Sequence, residues 1–390
     1  MKTVGLKKWI IPAVFALLCL FAACGQAAEE PLAQAEEPLT TQTQQQPVRE
    51  PIAEAPSDGI KEKIAGMTPE QKVGQMFLAH WPGEKAEELA AEYHLGGYVF
   101  FADYFENRTP EQVKEELTAC QAAQNIPMLM AVDEEGGGVT RISQYPQYRQ
   151  QPFASPQRLY NNGGLQRVAQ DTIEKCELLN GLGINLNLAP VCDISQNPGD
   201  YIYYRTLGRD EKDTRAYVAC VVAAMKGSGV GCTLKHFPGY GGNADTHTGV
   251  VMDNRSKEQF RQRDFEPFVG GIRAGAGSVM VSHNIAACMD GQNPASLSPE
   301  VHRVLREELE FDGVIITDDL TMEGIRQFIP DKEAAVAAVL AGNDLLCCSS
   351  FESQIPAVLE ALEKGEIDME TIDAAVERIL RWKMELGLIA

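Results

Sequence analysis

The sequence predicts an α/β fold, a (β/α)8 TIM-like barrel preceded by a signal peptide and a disordered tether. Three observations lead there. Eight short apolar runs recur along the chain, each followed by a turn and a helical pattern. The runs are continuous rather than alternating, as expected of parallel strands buried on both faces. Polar residues end several of them, namely Asp133, Asp193, Lys235, His236, His283 and Asp318. A barrel would bring these strand ends together on one face. An open doubly wound sheet in two lobes is the alternative architecture.

The first 23 residues read as an export signal. Lys2, Lys7 and Lys8 form a basic start, and Trp9 to Leu20 is an apolar stretch broken by Pro12. It is too short to span a membrane. Phe21-Ala22-Ala23-Cys24-Gly25 then resembles a bacterial lipobox, with Cys24 as the lipidated residue. Residues 24–57 are rich in Gln, Glu, Pro, Ala and Thr and poor in large apolar side chains. Such a segment cannot bury enough surface to offset ordering entropy, so it is expected to be a disordered tether. The barrel is expected over residues 58–390, anchored by lipid outside the cytoplasmic membrane.

The candidate strands run in order. They are Gly74–Ala79, Gly97–Phe101, Pro127–Val132, Ile184–Ala189, Gly231–Leu234, Gly277–Ser282, Gly313–Thr317 and Asn343–Cys348. Helical periodicity fills the intervals at 110–124, 155–182, 213–227, 257–274 and 334–340. Thr109-Pro110-Glu111 and Ser298-Pro299-Glu300 each offer a cap, a first-turn proline and an acid. In the closing segment Ile372, Val376, Ile379 and Leu380 share one helical face, which should dock on the rest.

The formal net charge is -21. No basic patch is present, which argues against nucleic-acid binding. Eight of the ten cysteines lie beyond the signal and its lipobox Cys24 and lack paired metal-ligand spacing, so most are read as buried thiols. Glu135-Gly136-Gly137-Gly138 lacks the lysine and hydroxyl residue of a phosphate-cradling loop.

Two polar clusters carry the chemistry. Lys235-His236-Phe237-Pro238-Gly239-Tyr240-Gly241, followed by Asp245-Thr246-His247, is read as lying just past a strand end. Thr317-Asp318-Asp319 ends another apolar run. Two such strand ends suggest a site with a nucleophilic carboxylate and a separate acid/base group. A histidine oriented by a nearby acid can serve as the second.

Four segments together resemble glycoside hydrolase family 3, in particular its β-N-acetylhexosaminidase branch of single-domain type. Ala131 to Arg141 resembles the family's Asp-x-Glu-Gly-Gly-x-Val-x-Arg. Ala189-Pro190-Val191-Cys192-Asp193, with Arg205-Thr206-Leu207-Gly208, resembles its next two pieces. Lys235 to His247 resembles the Lys-His-Phe-Pro-Gly block, and Gly313 to Gly324 the nucleophile segment.

The resemblance implies Asp318 as nucleophile, His247 as acid/base and Asp245 as its carboxylate partner. It implies that Asp133, Arg141, Arg205, Lys235 and His236 bind the terminal sugar, and that neither metal nor other cofactor is needed. Tyr240 stands where the family usually has histidine, and the Gly241–Asp245 loop is one residue shorter. Glu134 and Gly138 also depart from the pattern, and are expected to alter what binds beyond the first sugar. Asp319 and Asp193 are read as structural. His283 is left between a rim hydrogen bond and a site role. His80, His94 and His302 are read as surface or core residues.

The expected activity is exo-acting, retaining hydrolysis of terminal β-linked GlcNAc from cell-wall or chitin-type oligosaccharides or glycopeptides, by a monomer. The alternatives are a family 3 glycosidase or phosphorylase of other specificity, and a non-catalytic glycan-binding lipoprotein.

Overall fold

The computed structural model describes residues 57–246, 248–348 and 350–390, with only the backbone of Ser57, Asp58 and Cys348. The signal segment, Cys24, the tether to residue 56 and the candidate acid His247 lie outside the described residues.

Among the described residues ten strands follow in chain order: β1 (Phe77–His80), β2 (Gly97–Phe100), β3 (Leu129–Val132), β4 (Leu186–Asn187) and β5 (Gly231–Phe237). Then follow β6 (Met252–Asp253), β7 (Ser278–Val281), β8 (Ile285–Ala286), β9 (Val314–Thr317) and β10 (Leu346–Cys348). Eight of them form one parallel sheet in the order β10-β1-β2-β3-β4-β5-β7-β9. A parallel bridge between Ile316 and Leu345 joins the two ends. Thr317 N donates to Leu345 O at 3.0 Å there, and Cys347 N to Thr317 Oγ1 at 2.9 Å. The ring is the expected barrel, and each of the eight apolar runs contributes one of its strands.

Continuous apolar sequence and burial on both faces go together. Every residue of β2, β3, β7 and β9 is buried. At 25 cal/mol per Å² of apolar surface, roughly, such double burial makes each strand a large contributor to the core.

The helices follow their sequence signals. Thr109 caps the helix Pro110–Ala122 in a capping box with Gln112, and Ser298 accepts a hydrogen bond from Val301 N. Ile372, Val376, Ile379 and Leu380 are all fully buried on the closing helix Met369–Glu385. That helix packs on Ser57–Ala65 and Pro69–Gln75. The long helix Pro156–Leu182 departs from expectation, being interrupted at Gly163–Gly164.

β5 is a correction. It extends through Lys235, His236 and Phe237, so the first two lie within the strand rather than past its end. An irregularity between Leu234 and Phe237 re-aims the ladder. Lys235 pairs instead across to β4's exit, with its N–H on Pro190 O at 3.2 Å and its carbonyl accepting from Cys192 N at 2.6 Å. The small β6–β8 sheet, outside the barrel, pairs Met252 with Ile285 and Asp253 with Ala286.

Candidate active site

A cavity of about 520 Å³ opens at the C-terminal ends of the strands. Asp133, Arg141, Arg205, Lys235, His236 and Asp318 all line it, together with Glu135, Tyr201, Phe101, Met280 and Met322. Six of the residues singled out from sequence therefore meet in one place.

Its floor is an ion network. Lys235 Nζ is 2.6 Å from Asp133 Oδ1 and 2.7 Å from Glu135 Oε1. Arg205 donates to both oxygens of Glu135, at 3.0 and 2.7 Å. Arg141 stands 3.6 Å from Asp133 on its other side. Burial works against the charges of Asp133, Glu135, Lys235 and Arg205. The cations Arg205 and Lys235 overcome it and hold the Glu135 carboxyl far below the usual carboxylate range. Lys235 and Arg141 likewise lower Asp133. Reciprocally, the two carboxylates outweigh burial and raise Lys235. Buried charges of this kind persist only when paired, and here they are.

Glu135 escaped the sequence reading. Its run of three glycines marked a loop, and nothing local showed that Arg205 and Lys235, far along the chain, would enclose it. The Asp-x-Glu spacing was the available signal.

His236 is oriented from behind. Its Nδ1 is 2.7 Å from Asp193 Oδ2, and its Nε2 is 3.1 Å from an Arg205 nitrogen. Arginine can only donate, so Nε2 accepts and Nδ1 carries the proton toward Asp193. Asp193 also accepts from the backbone N–H of His236 and Tyr240, at 3.1 and 2.7 Å. It is structural, as read, yet it supports a cavity residue directly.

Asp318 follows β9, its N–H donating to Val281 O at 2.9 Å. Its Oδ1 accepts from Asp319 N at 2.9 Å. Asp319 lines the same cavity and lies 2.7 Å from His80 Nε2. Burial pushes Asp319 up, but the His80 and Thr321 contacts prevail and lower it. His80 is thus a cavity residue, which corrects its reading as surface or core. His283 spans Ser296 Oγ at 2.8 Å and the Asp319 carbonyl at 2.9 Å. His94 occupies a helix C-cap, and His302 is buried against Ser298 O at 2.8 Å.

Asp245 lies on the segment after β5, half-buried, outside the cavity lining. It neighbours Tyr201, whose hydroxyl is 3.4 Å from Arg205. Burial raises the Tyr201 phenol to about 12, Arg205 opposes this and the Asp245 carboxylate adds to it. Tyr240, the departure from the family pattern, is a buried anchor: its hydroxyl is 2.5 Å from Thr246 Oγ1 and its ring meets His236 edge-on at 5.2 Å.

Glu134 corrects another expectation. It is fully buried and accepts from Arg141 N at 2.9 Å and Ile142 N at 2.8 Å, so it braces the loop and cannot reach a ligand. Gly138 is exposed, with open space around it. Among the described residues no cluster of three potential metal ligands occurs, and no helix is long and apolar enough to cross a membrane.

The comparisons with known proteins bear on this geometry. Residues 68–382 match the family model described as the glycosyl hydrolase family 3 N terminal domain. A β-hexosaminidase of Idiomarina loihiensis is 32% identical over 283 residues, covering 70% of this chain and 82% of that protein. β-Hexosaminidase A of Pseudoalteromonas piscicida is 28% identical over 329 residues, covering 77% of this chain but 55% of that protein. The solved family 3 β-N-acetylglucosaminidase of Paenibacillus sp. superposes with a TM-score of 0.78 at 32% identity, covering 83% of this chain and 64% of that one. The chain thus spans just over half of one of these relatives and less than two thirds of another. On the extent of the family match, this chain belongs to glycosyl hydrolase family 3.

Proposed function

We propose that this protein is an exo-acting, retaining β-N-acetylglucosaminidase. The observation that carries the reading is the meeting of Asp318 with the Asp133–Lys235–Glu135–Arg205 network around one cavity. A neutral sugar presents hydroxyls that both donate and accept. Fixed carboxylates and cations in one wall satisfy them through charge-assisted hydrogen bonds. The β-hexosaminidase names of the relatives support an amino sugar, and the Paenibacillus β-N-acetylglucosaminidase supports GlcNAc in particular.

In this reading Asp318 attacks the anomeric carbon and forms a glycosyl-enzyme. His247, with Asp245 as its carboxylate partner, protonates the leaving oxygen and then activates water. Asp133, Arg141, Arg205, Lys235 and His236 bind the terminal sugar, and Glu135 joins them by holding two of the cations. No step calls for a metal or other cofactor. The substrates are cell-wall or chitin-type oligosaccharides or glycopeptides. The protein acts as a monomer outside the cytoplasm, held to the membrane through lipidated Cys24, with residues 24–57 as tether and 58–390 as the catalytic barrel.

Initial rates on aryl β-N-acetylglucosaminide and aryl β-glucoside, side by side, test the reading. Strong preference for the first is expected. Turnover of the second alone overturns the substrate, and turnover of neither favours a glycan-binding role.

A further inference from the structure

The segment that leaves β5 is fastened from behind by Arg255, a residue outside the cavity. Its guanidinium lies between two buried carboxylates. One nitrogen contacts both oxygens of Asp264 at 2.8 Å, and another reaches Asp253 at 2.6 Å. The same group sits over the Phe260 ring, 4.3 Å from its centre. An ion pair serving stability alone would end there. Arg255 goes on to donate to the carbonyl of Gly239 at 2.8 Å.

The backbone is shaped to that contact. Gly239 and Gly241 have φ of +118° and +58°, where L side chains are strained. A Cβ on Gly241 would meet the guanidinium carbon at 2.6 Å, and one on Gly239 would meet Asp264 at 2.9 Å. Asn243 adds a further tie, its amide donating to Asp253 at 2.6 Å and to Tyr240 O at 2.9 Å. Beyond these, Asp193 holds Tyr240 N and Tyr240 holds Thr246. Asp245 therefore lies between residues anchored on both sides.

We propose that Arg255 is a positioning residue for proton transfer, setting residues 239–246 so that Asp245 is presented beside Tyr201 at the cavity. The inference rests on the acid–base role proposed above for Asp245. Its chemistry is simple: a general acid works only when its partner is fixed to within a fraction of an ångström.

The test exploits leaving-group dependence. An acid matters for a sugar leaving group and hardly at all for dinitrophenolate. Compare kcat/KM for diacetylchitobiose and for 2,4-dinitrophenyl β-N-acetylglucosaminide, using the full chain and Arg255→Met. The disaccharide value should fall on the order of 100-fold and the dinitrophenyl value less than about threefold. Equal loss on both substrates, or loss on neither, overturns the proposal. Gly241→Ala, which pushes the same contact apart, should repeat the pattern and decides the matter if Arg255→Met does not fold. Asp245→Asn runs alongside. If it shows no leaving-group dependence, the acid–base reading falls and this inference with it. If it does and the other two variants do not, the inference alone falls.

Discussion

Arg205 grips Glu135 through two hydrogen bonds, at 3.0 and 2.7 Å, with the carboxylate almost wholly out of water. Lys235 meets the same carboxylate at 2.7 Å. One acid therefore organises two cations that both face the cavity.

Neutralising that acid should be costly twice over. Glu135→Gln leaves two buried cations short of a partner, a loss of about 3–5 kcal/mol. Urea unfolding should show it, and KM should rise at least tenfold. The pH dependence has a definite sign. The folded carboxyl titrates below its ordinary value of 4.5, so its stabilisation is complete above pH 4.5 and fades as pH falls. The gap in stability between wild type and Glu135→Gln should accordingly narrow below pH 4.5.

Asp193→Ala removes the acceptor for His236 Nδ1 and for two backbone N–H groups. Loss of about 3 kcal/mol is expected, since buried donors are left unmade. The imidazole would also be free to change tautomer, which disturbs its bond to Arg205. A drop in kcat/KM measured well below the variant's melting temperature, where it is still folded, would separate the second effect from the first. Unchanged kcat/KM in a folded variant would remove His236 from the binding wall.

The eight barrel strands could be read from sequence because their residues are buried on both faces, which leaves uninterrupted apolar runs. Asp133, Lys235 and Asp318 were legible for a related reason: they end such runs. Three things were not. Glu135 owes its importance to Arg205 and Lys235, distant partners no local pattern reveals. β5 runs past its expected end because Lys235 and His236, which continue it to Phe237, are polar yet buried by pairing. The two-residue strands β6 and β8, joining Met252 to Ile285, carry no periodicity at all. His80 owes its place at the cavity to Asp319, 2.7 Å away and distant in sequence.

A buried lysine gives a separate handle on stability. Lys383 is fully buried, its ammonium donating to Gln75 Oε1 at 2.8 Å. Burial pushes it down from 10.5 to about 7. The unfolded chain thus binds the proton more tightly between these values, so this group makes the protein more stable as pH rises from about 7 toward 10.5. Lys383→Met should raise stability at pH 7 by about 1–2 kcal/mol, the lost Gln75 contact offsetting part of the gain. It should also flatten the slope above pH 7. Thermal melts at pH 7 and 9.5 would check both; parallel slopes in variant and wild type would mean that Lys383 stays charged.

The most direct test of the account is to trap the glycosyl-enzyme. Incubation with a slow 5-fluoro N-acetylglucosaminyl fluoride, followed by intact mass and peptide mapping, should give one sugar adduct on the peptide carrying Asp318, absent in Asp318→Ala. Turnover with an adduct on another residue, or undiminished turnover by Asp318→Ala, would contradict it.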